Sequence, residues 1–125
     1  MAGLLWLLLL LGLGFPSPGF AAEKSGTLRH VVAFKFKPDA SSDQVAKVVA
    51  EFRALKDKIP QIVAFETGTN VSPEGLDKGF THAFVLTFRT AADRDAYLVH
   101  PDHQSFGKLV APVLADVFVI DFWAD

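Results

Sequence analysis

From residue 28 onward two rhythms of apolar positions take turns along the chain. Leu28 to Lys37 is apolar at alternate positions and rich in Val and Phe, the period of a β-strand, and Pro38-Asp39 ends it. Ser41-Ser42-Asp43-Gln44 has the form of a capping box, a hydroxyl followed three residues later by Gln. Val45, Val48, Val49, Phe52 and Leu55 then recur at helical spacing, up to Ile59-Pro60, where the proline disfavours further helix. Ile62 to Asn70 predicts a second strand, weakened by Gly68, and Ser72-Pro73-Glu74-Gly75 and Lys78-Gly79 mark a long turn. Thr81 to Arg89 alternates clearly as a third strand. Thr90 caps a short helix over Ala91 to Leu98, and Pro101 suits the first turn of a second one running to Val110. Pro112 ends that helix, and Val117 to Trp123 is the last strand. The order β-α-β-β-α-β is the split pattern of a ferredoxin-like α+β fold. It predicts an antiparallel four-stranded sheet in the order 4-1-3-2, with both helical layers on one face.

A sheet with one wet face alternates apolar and polar residues, and these strands do not alternate cleanly, since the intervening positions are apolar too. Val32, Phe34 and Phe36 oppose Val31 and Ala33; Phe84, Leu86 and Phe88 oppose Ala83 and Val85; Val117 and Val119 oppose Phe118, Ile120 and Phe122. Both faces are greasy, and helices exist for one. Soluble monomers seldom expose a continuous apolar patch above about 300–600 Å², and a two-fold pair buries the same patch on both copies. The expectation is a homodimer, a barrel-like pair of sheets meeting through Val31, Ala33, Ala83, Val85, Phe118, Ile120 and Phe122. The competing expectation is that the tail or the 70–80 loop covers Phe118 and Phe122.

The first 22 residues have a different character, with no charged side chain before Glu23. An apolar run from Leu4 to Leu13, then Gly14, Pro16, Pro18 and Gly19, then Phe20-Ala21-Ala22 is the layout of a signal peptide. The run is too short to cross a bilayer of about 30 Å as a helix. We expect a signal peptide over residues 1–21, export after cleavage behind Ala21, a short tether over 22–27, and one domain over 28–125. The alternative is an uncleaved N-terminal membrane anchor.

The net charge of −2 and the lack of a basic stripe remove nucleic acid as a partner. With no cysteine, thiolate catalysis, disulfides and cysteine-ligated metals are excluded. Gly-rich phosphate loops, G-x-S-x-G and H-E-x-x-H are all missing from the sequence. The remaining chemistry lies in histidine. His30 shares a strand face with Val32 and Phe34, and His82 with Phe84 and Leu86. Asp121 lies on the Val117–Val119 face, where a lone carboxylate is expensive; a histidine beside it on the first strand would resolve that cost. Tyr97 and His103 flank the start of the second short helix, and His100 belongs to that helix start. Together Tyr97, His103, His30, His82 and Asp121 are expected to converge on an apolar pocket between helices and sheet, walled by Val32, Phe34, Phe52, Phe65, Phe84, Val117 and Val119. His100 and His103 supply two imidazoles, short of the usual three or four ligands, so neither a metal nor a cofactor is expected.

The blocks His30-Val31-Val32-Ala33-Phe34-Lys35-Phe36-Lys37, Leu55-Lys56-Asp57-Lys58-Ile59-Pro60, Gly79-Phe80-Thr81-His82, Tyr97-Leu98-Val99-His100-Pro101-Asp102-His103 and Val119-Ile120-Asp121-Phe122 resemble the stress-responsive α/β-barrel (Dabb) family over about residues 28 to 124. The resemblance implies a dimeric α+β barrel. One plant member is a polyketide cyclase, and its catalytic tyrosine and histidine match Tyr97 and His103, its accessory histidines His30 and His82, and its cavity aspartate Asp121. In that likeness His103 is the general base, helped by Asp121, and Tyr97 orients or polarises a carbonyl. Phe65 and Phe84 stand where the cyclase has valines, which implies a smaller pocket. The expected function is binding of a small apolar or aromatic molecule by an exported dimer. The alternatives are a cofactor-free cyclase or lyase using His103 and Tyr97, and a structural stress protein whose core is filled.

Overall fold

The computed structural model describes residues 26–125; the expected signal peptide and most of the tether lie outside them. The elements are β1 (Leu28–Phe36), α1 (Ser42–Lys58), β2 (Ala64–Thr69), β3 (His82–Phe88), α2 (Ala91–Leu98), α3 (Pro101–Val110), a 3-10 turn (Ala111–Val113) and β4 (Leu114–Trp123). The strands lie in the order β2-β3-β1-β4, each pair antiparallel. This is the ferredoxin-like arrangement that the sequence predicts. Two strand boundaries differ by more than one residue. The last strand begins at Leu114, because the 3-10 turn delivers the chain directly to the edge of β1, where Leu114 pairs with Phe36 across a bulge. The second strand is shorter, opening at Ala64 after the Val63 N–H has already bonded to the Thr87 carbonyl.

The capping box forms. The Ser41 hydroxyl accepts the Gln44 N–H at 3.1 Å, and the Gln44 side chain accepts the Ser41 N–H at 2.9 Å. Lys56 and Lys58 sit in the last turn of α1, where cations complement the helix dipole. The apolar stripe of α1 buries Val48, Phe52 and Leu55 against the sheet. Phe52 lies 4.5 Å from Phe84 and 4.6 Å from Phe106 between ring centroids, and Phe34 lies 5.0 Å from Phe84. These rings form the centre of the core, and burying each contributes about 1.5–3 kcal/mol.

Helix α2 packs over β1 and β3, and α3 packs against α1. Among the described residues, edge strand β4 is only half covered on each face. Val117 and Val119 point to the helix side, as their pairing with buried Phe34 and Val32 requires, and remain 49 % exposed. Phe118, Ile120 and Phe122 point to the other side and are equally open. On that side Val31, Ala33 and Val85 are half-buried by their neighbours and Ala83 is exposed. The loop between β2 and β3 does bring Phe80 to within 6.3 Å of Phe118, centroid to centroid, but Phe118 is still 50 % exposed. The loop therefore extends the apolar face instead of covering it.

Candidate functional site

Antiparallel pairing of β1 with β4 sets His30 directly opposite Asp121, so both side chains leave the same face. A carboxylate oxygen only accepts, so His30 Nδ1–H donates to Asp121 Oδ1, at 2.7 Å. The other carboxylate oxygen accepts Arg94 Nη1–H from α2 at 2.5 Å, and Arg94 Nε–H reaches Asp95 at 2.8 Å. These two carboxylates hold the Arg94 guanidinium above its ordinary range, through the bonds to Asp95 first and Asp121 second. The cost of a carboxylate beside valines is thus met by a histidine on one strand and an arginine on a helix. The Asp121 side chain is 22 % exposed and the His30 side chain 6 %.

Tyr97, on the inner side of α2, is fully buried. Its ring stands edge-on to His30 at 5.7 Å and tilted against His103 at 4.3 Å. Its hydroxyl has no hydrogen-bond partner among the described residues, and burial pushes its pKa far up, so the group is a neutral donor with nothing to donate to. On α3, His103 Nδ1–H donates to the Leu98 carbonyl at 3.1 Å. That bond fixes the tautomer and leaves Nε2 as the free acceptor of the neutral ring. Burial is the main cause that lowers the His103 pKa; the bond to Leu98 opposes it, and the nearby His30 and His100 add to it. His103 is therefore an uncharged base at neutral pH. His100 caps α3, its Nδ1 accepting the Asp102 N–H at 3.1 Å, with Pro101 opening the helix.

Helical spacing places His103, Gly107 and Val110 on the side of α3 away from α1. No atom lies within 4 Å of where a Gly107 side chain would begin. Gly107 on α3 and the half-open Val117 and Val119 on the helix side of β4 are open positions of these two elements, which also carry His103 and Asp121, joined through Tyr97 and His30.

Three expectations change. His82 does not join the cluster: it pairs with Phe34, whereas His30 pairs with Leu86, which separates them by four strand positions, roughly 13 Å. His82 instead bonds Thr81 Oγ1 at 2.8 Å and stacks edge-on to Phe36, and burial lowers its pKa. Asp121 does not assist His103; its two oxygens serve His30 and Arg94, while His103 is oriented by the Leu98 carbonyl. Val32, Phe34, Phe52 and Phe84 close on one another as packed core, and Phe65 stacks on their flank. Of the expected walls, only Val117 and Val119 face open space. Arg94 went unread in the sequence, although it lies one helical turn before Tyr97 and an aspartate among valines demands a cation as well as a histidine.

A buried, unpaired phenol packed against an oriented, uncharged imidazole suits a neutral oxygen-bearing ligand, and such an imidazole can move a proton. Comparison with known proteins agrees with the fold. The chain is 32 % identical over 100 residues to stress-response A/B barrel domain-containing protein HS1 of Arabidopsis thaliana, covering 80 % of this chain and 92 % of that protein. It is 23 % identical over 95 residues to olivetolic acid cyclase of Cannabis sativa, covering 76 % and 94 %. Among solved structures it superposes on the hydroxynitrile lyase of Passiflora edulis with a TM-score of 0.75 at 26 % identity, over 80 % of this chain and 94 % of the lyase. A dimeric ferredoxin-like protein of unknown function from a Jannaschia species matches with a TM-score of 0.70 at 26 % identity, over 79 % and 100 %. The profile of the stress responsive A/B barrel domain matches residues 28–124, and the chain belongs to that family, Dabb.

Proposed function

We propose that the protein is an exported homodimer that binds a small apolar or aromatic molecule, bearing a neutral oxygen, in a strip between α3 and β4. The observation that carries this reading is the Tyr97 hydroxyl, fully buried and without a partner among the described residues, on a ring that packs against the neutral His103 imidazole at 4.3 Å between centroids. A buried polar group left unsatisfied costs about 1–3 kcal/mol, and a ligand oxygen placed between Tyr97 and His103 removes that cost. Val117 and Val119 supply the apolar wall. The open sheet face carrying Val31, Val85, Phe118, Ile120 and Phe122 meets a second copy, in keeping with the relatives described as dimeric. Native mass spectrometry of protein purified from its own host tests all three parts. The expected spectrum shows two chains beginning at Ala22, with extra mass that Tyr97→Phe reduces. Extra mass that survives both Tyr97→Phe and His103→Ala in full would remove the proposed site.

A second reading, cofactor-free catalysis, is favoured by the hydroxynitrile lyase and the cyclase among the similar proteins. In it His103 Nε2 takes a proton from the ligand while the Tyr97 hydroxyl donates to the oxygen on which charge develops. A substrate whose turnover is unchanged by His103→Ala would end that reading and leave the binding site standing.

A further inference from the structure

The loop joining β2 to β3 spans residues 70–81 and presents apolar side chains to solvent: Leu76, near its tip, is 65 % exposed, and Val71, near its base, more so. It is nevertheless a built structure. Asn70 N–H bonds to the Thr81 carbonyl at 2.8 Å and closes the base. The Asp77 carboxylate accepts the Gly79 N–H at 3.0 Å, and the Asp77 carbonyl accepts the Phe80 N–H at 2.9 Å. The chain turns through three left-handed residues, Gly75, Lys78 and Gly79. Lys78 is not a glycine, and holding it there costs about 1–2 kcal/mol. At Gly79 a side chain would run into Lys35. This fixed shape lays the loop over the end of the open sheet face, where Phe80 meets Phe118 edge-on. Between them is a hollow of about 280 Å³ lined by Ala33, Leu76, Asp77, Lys78, Phe80 and Phe118.

A loop stiffened by its own hydrogen bonds and strained at Lys78, yet aiming a leucine at water, is unexplained within one subunit. Its lining is continuous with the open sheet face, through Ala33 and Phe118. Resting on the dimer reading above, we propose that the β2–β3 loop is an arm of the dimer interface. The hollow between Leu76, Phe80 and Phe118 receives an apolar side chain of the second copy. The occupant is a second copy of this chain because the hollow continues the open sheet face assigned above to the dimer, and solved relatives are described as dimeric. A two-fold interface uses each such hollow twice.

The test compares the dissociation constant of the full-chain wild type with that of Leu76→Asp and of Val99→Asp by sedimentation velocity over a dilution series. Circular dichroism confirms that each folds, as substitution at positions this exposed permits. Val99 is 69 % exposed at the end of α2, away from the open sheet face, and is the control. Leu76→Asp is expected to weaken the dimer about tenfold or more, since it buries a carboxylate in an apolar hollow twice per dimer, and Val99→Asp to leave it unchanged. A wild type that stays monomeric throughout the series would overturn the dimer reading and the arm with it. A dimeric wild type whose dissociation constant Leu76→Asp leaves unchanged, or weakens no more than Val99→Asp does, would overturn the arm alone.

Discussion

Tyr97→Phe is the substitution that separates a site from a core. The ring is fully buried, and packs on Phe88 at 5.2 Å, His30 at 5.7 Å and His103 at 4.3 Å. Phenylalanine keeps every one of those contacts and deletes one oxygen. Were Tyr97 an ordinary satisfied core tyrosine, losing its hydroxyl would remove a hydrogen bond and destabilise the fold by about 1 kcal/mol. Here the hydroxyl has no partner, so the ligand-free protein already bears a desolvation penalty of about 1–3 kcal/mol. Tyr97→Phe is therefore expected to stabilise the ligand-free protein by about that amount. In a domain of this size the melting temperature rises by roughly 4–8 °C per kcal/mol. The assay is urea unfolding at fixed protein concentration, so that dimerisation contributes equally to both variants. The expected result is a higher midpoint at an unchanged slope. A stability gain that accompanies a loss of ligand binding is the signature of a group kept for function at the expense of the fold. A loss of 1 kcal/mol or more would refute the reasoning, because it would mean that the hydroxyl is satisfied in the free protein.

Three other outcomes follow from the same geometry. Phe52→Ala removes the ring at the centre of the stack with Phe84 and Phe106 and should cost about 3–5 kcal/mol in urea unfolding. A double-mutant cycle on Arg94→Gln and Asp121→Asn should give a coupling of no more than about 1 kcal/mol, since both side chains keep some contact with water; in Asp121→Asn the acceptor of the His30 Nδ1–H changes from a carboxylate to a neutral amide, visible in the His30 ring nitrogen chemical shifts. Burial makes His103 and His82 harder to protonate in the folded protein than in the unfolded chain, where histidine titrates near its ordinary 6.5. The unfolded state then binds more protons below that value, so stability is full above pH 6.5 and declines as pH falls through it; urea midpoints measured across that range should show the decline, and His103→Gln should flatten it.

The fold was legible because its signals are local and agree with one another. The hydroxyl-x-x-Gln box at Ser41, Thr90 before α2 and Pro101 opening α3 are read correctly to the residue, since a cap is a bond between near neighbours. The His30–Asp121 contact was legible for a different reason. Once β1 and β4 are antiparallel neighbours, the alternation of each strand puts one opposite the other, and the cost of a lone carboxylate names the partner. His82 escaped the same logic because sharing a face says nothing of position along it, and four residues of register move a side chain to the other end of the sheet. The Asp121–His103 assignment failed because a helix side chain has no register with a strand: whether Arg94 or His103 reaches the carboxylate depends on how α2 sits on the sheet. The aromatic walls were misplaced because Phe34, Phe52 and Phe84 fill their own space, and ring packing in three dimensions leaves no mark on spacing in one.

Strand β4 ties the two halves of the proposed function together. Along it Val117, Val119 and Asp121 face the helices, while Phe118, Ile120 and Phe122 face the other way. Among the described residues it is an edge strand, bonded on one side to β1 only, and half-open on both faces, so it is a weakly supported wall in a single subunit. Arg94 reaching down from α2 to Asp121 pins one end; among the described residues no side-chain hydrogen bond from a helix holds the stretch from Val117 to Ile120. In the dimer proposed above the second copy packs behind that stretch. A substitution that dissociates the dimer should therefore loosen the ligand wall without touching a single cleft residue. Leu76→Asp, far from His103 in sequence and on the opposite side of the sheet, should weaken ligand binding in proportion to the fraction of monomer it creates. Affinity that stays constant while the dimer falls apart would show that β4 holds its place unaided.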